Sequence, residues 1–191
     1  MVKVVFGLPG AGKSTYAARE ASRAMRRGQK VYSNFFIRGA YSLDFDRLGL
    51  DDYSDCLMIL DEVSLFADAR NWKQFKPETK YFFVMHRHYN VDLLVLSQSY
   101  ADMDIRIRNI ADELHHITES RFGFSRVRPV TKRLEVVDGR VQEYYEERGI
   151  GTYFHRSRYY DLFDSYEKKA LPPNKETLHK LVSLVCFTGT L

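Results

Sequence analysis

The chain has 191 residues, of which 45% are hydrophobic, enough to bury one sizeable core and too rich in apolar residues for a disordered or fibrous polymer. A formal charge of +4 and a pI near 9.0 make it mildly basic, compatible with nucleic acid or an anionic membrane face without requiring either. Its two cysteines, Cys56 and Cys186, exclude a disulfide framework and a zinc spacing and point to a reducing compartment; no apolar run reaches the roughly 18 to 20 residues that cross a bilayer.

The first stretch organises the rest. Residues 2–6 are apolar and mostly β-branched apart from Lys3, then come Gly7, Leu8, Pro9, Gly10, Ala11, Gly12, Lys13, Ser14 and Thr15, then an alanine-rich helical run from Tyr16 to Arg27. Strand, glycine-rich loop and helix follow one another as the phosphate-binding spacing G-x-x-x-x-G-K-S requires. Gly10 and Gly12 permit positive φ, so that successive backbone N–H groups turn inward around an anion. Lys13 supplies a flexible charge for the β/γ oxygens of ATP, Ser14 a hydroxyl for Mg²⁺, and the helix start points unsatisfied N–H groups at the phosphates. Gly7, Pro9, Ala11 and Thr15 complete the expected cofactor-binding loop. A glycine-rich turn that binds nothing would have to match both the motif and its context by coincidence. With the chain opening directly on a strand, no signal peptide is recognisable, so a soluble cytoplasmic protein is expected.

Gly28 suits a helix C-cap, and residues 30–34 read as a second strand. Residues 39–55 are polar and turn-rich and read as a loop. Residues 56–60 are continuously apolar and end in Asp61 and Glu62; such runs are central parallel strands, whose carboxyl ends line the ligand crevice. Asp61 is therefore expected beside the phosphate loop, on an adjoining strand, as the second metal-side group with Ser14. Glu62 is the candidate general base for the attacking water. Residues 63–72 resemble a short helix and loop. Residues 77–89 read as a helix with Pro77 in its first turn and Asn90 as left-handed cap, and residues 91–97 as another buried strand ending at Gln98, a candidate γ-phosphate sensor. Asp102 or Asp104 can cap a helix over 105–111, and residues 114–118 form a further strand. Alternating strands and helices predict an α/β P-loop NTPase with a central, mostly parallel sheet flanked by helices over residues 1–120.

Beyond Ser120 arginines interleave with aromatic and β-branched residues. Residues 133–145 alternate around Asp138-Gly139 as a hairpin, residues 151–160 read as another strand, and Pro172-Pro173 precede a last helix carrying Leu178, Leu181, Val182 and Val185. Residues 121–191 are thus expected to form a small antiparallel β appendage and a C-terminal helix, in the same domain or a small subdomain. Its basic, aromatic texture fits single-stranded DNA, and equally a solvated face or subunit contact. His86/His88 and His115/His116 lack ligand spacing and read as structural or surface residues rather than a metal set.

The loop, residues 31–34, Leu60-Asp61-Glu62-Val63 with Arg70 following, His86 to Asp92 leading into Val95-Leu96-Ser97-Gln98-Ser99, residues 105–109 and Tyr159 to Ser165 together resemble the zonular occludens toxin (Zot) family, which includes the assembly ATPase of filamentous phages and is similar to the FtsK/HerA DNA-pumping motors. The resemblance implies a Mg-dependent ATPase powering virion assembly and extrusion at the cytoplasmic face of the host inner membrane. It implies a homo-oligomeric ring, phage assembly or coat proteins as partners, and membrane attachment through a segment that this chain lacks. It also implies an arginine finger from a neighbouring subunit, for which Arg87 is the first candidate and Arg70 and Arg106 follow. Two other classes fit a short P-loop chain, a small-molecule or nucleotide kinase and a nucleotide-gated interaction module or toxin-like effector. Gln98 and Glu62 suit water activation better than transfer to an acceptor.

Overall fold

The computed structural model describes residues 1–44, 47–51, 53–62, 76–101, 103, 105–137 and 140–163. The expected short helix over 63–72, Arg70, the caps Asp102 and Asp104, the turn residues Asp138 and Gly139, and the C-terminal helix lie outside the described residues.

Strand β1 (Val2–Phe6) leads through the loop into helix α1 (Lys13–Arg26), followed by β2 (Lys30–Ser33), the short β3 (Tyr41–Ser42) and β4 (Cys56–Leu60). Helix α2 (Pro77–Met85), β5 (Val91–Ser97), α3 (Ile105–Ile110) and β6 (Glu113–Glu119) complete the first part. The antiparallel part is β7 (Phe124–Val137), β8 (Arg140–Glu147), β9 (Thr152–His155) and a 3-10 segment, Arg156–Leu162.

All described strands join one sheet, in the order β3-β2-β4-β5-β1-β6-β7-β8, with β9 pairing β7. The pairs from β3 to β6 are parallel; β6, β7, β8 and β9 pair antiparallel. The fold class read from the sequence is the one observed. β6 and β7 pair from Leu114↔Val130 to Glu119↔Ser125, so the antiparallel strands continue the parallel sheet across residues 120 and 121. Strand β9 is shorter than the expected run over 151–160. After His155 the apolar residues recur in steps of three, Tyr159 to Leu162 and Tyr160 to Phe163, which suits a 3-10 turn, and Tyr159 and Leu162 pack against the cluster that includes α1.

Both sheet faces are covered, because the central strands alternate their buried side chains. Val2, Val4, Met58, Leu60, Leu93 and Val95 meet Phe82, Phe83 and Ile107 of α2 and α3 on one face. Val5, Ile59, Leu94 and Leu96 meet Ala17, Ala18, Ala21 and Ala24 of α1 on the other. Alanines let α1 approach the sheet closely, and the same cluster takes in Val127, Phe154 and Phe163 from the antiparallel part. Gly28, at φ +78°, ends α1: its N–H donates to Met25 O and that of Gln29 to Ala24 O. Helix α2 stops at Met85, four residues earlier than expected, because the chain wraps back through His86, whose carbonyl accepts from Val91 N–H, and Asn90 at φ +53°.

His86 is buried beside this turn. Its Nδ1 bonds Phe83 O at 2.8 Å while Nε2 has no partner among the described residues, and burial holds its pKa below the ordinary 6.5. The folded state therefore disfavours the imidazolium. His86 costs nothing above pH 6.5 and withdraws stability as pH falls below it, where the unfolded chain binds the proton first. The thermal midpoint is expected to fall between about pH 7.5 and 5.5 more steeply for the wild type than for His86→Asn, and differential scanning calorimetry checks this.

Candidate active site

At the end of β1 the chain turns at Gly7, whose N–H donates to Ser97 O at the end of β5. A Cβ on Gly7 would lie 2.2 Å from Ile117 O, so here glycine is demanded by the close passage of β6. Gly12 caps α1 at φ +99°; a Cβ there would meet Ser125 Oγ at 2.4 Å and Arg156 Cδ at 3.2 Å.

The carbonyls of Gly7, Leu8, Gly10, Ala11 and Gly12 each have a donor. Lys13 Nζ donates to Gly7 O (2.7 Å) and Leu8 O (3.1 Å), Arg156 Nη1 to Gly10 O (2.9 Å) and Ser125 Oγ to Ala11 O (2.7 Å), while Tyr16 N–H takes Gly12 O (2.8 Å). With these carbonyls engaged, the remaining backbone N–H groups of the glycine-rich loop and the start of α1 are the groups that could receive an anion.

The acids come from β4. Its neighbour towards β1 is not β1 itself but β5, with Leu60 opposite Val95 and Phe6 opposite Ser97. The expectation that Asp61 follows a strand adjoining the loop's own is thereby corrected: at about 4.8 Å per strand, β4 lies roughly 10 Å from β1. The cause is the insertion of β5, which puts the exposed Gln98 between the loop and the acids. Asp61 and Glu62 still act electrostatically on Lys13. Burial lowers the lysine pKa, and the fields of Asp61 and then Glu62 oppose that shift.

Asp61 is held by Asn34 at the end of β2: its N–H donates to Asn34 Oδ1 (2.8 Å) and its carbonyl accepts from Asn34 Nδ2 (2.9 Å). Asp61 Oδ1 accepts from Glu62 N–H at 2.9 Å, and Glu62 sits at φ +53°. A left-handed glutamate costs roughly 1–2 kcal/mol and re-aims its side chain relative to a continuing strand. Ser14 is half-buried in the first turn of α1 and Thr15 is buried. A hydroxyl at Ser14 and a carboxylate at Asp61, beside inward N–H groups and Lys13, form a hard-oxygen and amide donor set that fits a nucleotide carrying magnesium. Pro9 is exposed at the loop tip and Ala11 is buried beneath it.

Arg87 lies elsewhere. It follows α2 and pairs with Asp112, whose other oxygen accepts Val2 N–H, so both sit at the amino ends of the strands. About 16 Å of β1 separates that end from the loop, and Arg87 does not reach this chain's own site. Arg106 belongs to α3, with its side chain outside what is described. In the antiparallel part, Arg128 pairs with Glu147 and Arg133 with Glu146, which neutralises two of the basic residues read as a DNA surface; Arg126 stacks over Tyr153 at 5.4 Å. Among the described residues no group of three or more His, Cys, Asp or Glu can hold a metal ion, and no helix is long and apolar enough to cross a membrane. Asn34, Ser125 and Arg156 are the residues whose part in the site sequence reasoning missed.

A model of the zonular occludens toxin (Zot) family matches residues 40–166. The chain belongs to the Zot family. Among solved structures it is similar to the N-terminal domain of zonular occludens toxin from Neisseria meningitidis, with 17% identity, a TM-score of 0.54, and coverage of 85% of this chain and 98% of that one. It is also similar to the DNA-packaging ATPase B204 of Sulfolobus turreted icosahedral virus, with 11% identity, a TM-score of 0.52, and coverage of 74% and 95%. At these identities the likeness establishes the P-loop NTPase fold. No curated protein matches the chain.

Gly12→Ala is expected to abolish nucleotide binding while the protein stays folded, because the methyl group collides with Ser125 Oγ and the backbone sits in the left-handed region. Titration calorimetry with ATP, alongside circular dichroism, checks both halves of that expectation.

Proposed function

We propose that this Zot-family chain is an ATP-hydrolysing motor domain that powers filamentous phage assembly and extrusion at the cytoplasmic face of the host inner membrane. One observation carries the reading: β1 and β4, two places apart, run parallel through β5, so Asp61 and Glu62 leave the same edge of the sheet as the phosphate loop with Lys13. The family supplies the setting, and a viral DNA-packaging ATPase of the same fold supports motor work on a macromolecule.

In this reading Lys13 exchanges its carbonyl partners, Gly7 and Leu8, for the β/γ oxygens of ATP, and the loop amides with the α1 N-terminus hold the triphosphate. Ser14 and Asp61 hold the magnesium, which when bound offsets charge on the transferred phosphoryl group. Glu62, lifted out of line by its left-handed backbone, accepts the proton of the attacking water, and Gln98 orients that water against the γ-phosphate. Arg87, exposed at the far end of the sheet, serves a neighbouring subunit's site, which requires a homo-oligomeric ring. Phage assembly or coat proteins are the cargo-side partners, and a segment outside this chain attaches it to the membrane. Single-stranded DNA finds its best purchase on the Arg126–Tyr153 stack.

Phosphate release from ATP with magnesium should need no acceptor molecule; strict dependence on one would make the chain a kinase instead. Glu62→Gln should keep ATP affinity and lose turnover by about 10²-fold or more, whereas Lys13→Ala should lose binding itself. Arg87→Ala should cut turnover by about 10³-fold or more with nucleotide binding intact. Mixing Arg87→Ala with Lys13→Ala subunits should then recover part of the activity, since each supplies what the other lacks. Normal turnover in Arg87→Ala would remove that residue from the site.

A further inference from the structure

The motif Tyr159 to Phe163, part of the family pattern, has no place in the hydrolysis scheme, yet it stands against the phosphate loop. A cleft of about 270 Å³ is lined by the loop glycines with Lys13, Ser14 and Thr15 on one side and by Arg156, Tyr160 and Phe163 on the other. Among the described residues that line it, the charged ones are two cations and none is a carboxylate. Cations beside aromatic rings match a ligand that is an anion at one end and an aromatic ring at the other.

We propose that the 3-10 segment Arg156–Leu162 completes the nucleotide site within the same chain, with Tyr160 as the platform on which the base stacks; this rests on the loop being a triphosphate site. The segment is pinned at both ends. Arg156 donates from Nη1 to Gly10 O (2.9 Å), from Nε to Gly123 O (3.3 Å) and from Nη2 to Glu119 Oε1 (2.5 Å), which ties its start to the loop and to β6. At the other end Arg38 N–H donates to Leu162 O at 2.7 Å, and Phe163 forms an antiparallel bridge with Ile37. Phe163 is 8% exposed and belongs to the core, whereas Tyr160 is 51% exposed and meets the Phe163 ring edge-on, with centroids 6.5 Å apart. One ring therefore anchors the other, and the accessible one borders the cleft.

In the proposed site the reacting phosphate faces Asp61 and Glu62, and the base end lies in the cleft whose wall Thr15 and Tyr160 share. Stacking uses a π-face that every base has, so the platform gives affinity with little choice among bases.

The test compares ATP with inorganic tripolyphosphate, which has the same charged end and no base. Tyr160→Ala should weaken ATP binding about ten-fold and leave tripolyphosphate binding unchanged, Tyr160→Phe should restore ATP affinity, and ATP and GTP should bind the wild type within about ten-fold of each other. Unchanged ATP affinity in Tyr160→Ala, equal losses for ATP and tripolyphosphate, or a preference between ATP and GTP beyond about a hundred-fold would overturn the platform while leaving the loop's role intact. Wild-type protein that binds neither ligand would overturn the triphosphate reading, and the platform with it.

Discussion

The site depends on the outward engagement of the phosphate loop's carbonyls. A backbone that curls tightly enough to point its amides at one spot must point its carbonyls away, and each of those needs a donor. Ser125, Arg156 and the Tyr16 amide of α1 provide three of them, and Lys13 holds Gly7 O and Leu8 O in the absence of a ligand. Two of these donors come from the antiparallel part of the sheet. That part therefore does not hang on the edge of an independent core; without β7 and the segment after β9, two loop carbonyls lose the partners that fix their direction.

Packing reinforces the same link. Arg19 of α1 lies over the adjoining rings of Tyr16 and Phe154, at 4.9 Å from each, and pairs with Glu20 while almost wholly buried. A buried guanidinium is tolerated when its charge is matched and its faces are stacked. The contact ties the helix that begins at the phosphate loop to the strand that delivers Arg156. On the other side of the loop, β5 separates the loop's strand from the acids' strand, and Gln98 follows the end of that intervening strand.

Local features were legible in the sequence because their causes are local. The strand, loop and helix at the start, the apolar runs of β4 and β5, the left-handed Asn90 and the alternating hairpin strands each follow from side chains within a few residues. Strand order was not legible: β1 and β4 both read as buried central strands, and nothing in either dictates that β5 lies between them. The supports of the loop were hidden by distance. Ser125 and Arg156 lie 114 and 146 positions from the carbonyls they hold, and a serine or arginine in a basic, aromatic strand carries no mark of such a partner. Asn34 had a weak signal, an amide at the carboxyl end of a strand, the same position that singled out Gln98.

Asn34 also sets how motion can enter the chemistry. Its amide both donates to and accepts from the peptide of Asp61, and so acts as one more rung between β2 and β4 beyond the last backbone pair. Strand β2 lies next to the outermost described strand on that side, β3, which is only two residues long. A push on this margin of the molecule is felt at the peptide bearing the acid before it is felt at the phosphate loop, which is anchored three strands away. In the proposed ATPase, a displacement of β2 would therefore reach the peptide of Asp61 through the Asn34 side chain as well as through the β2–β4 backbone ladder.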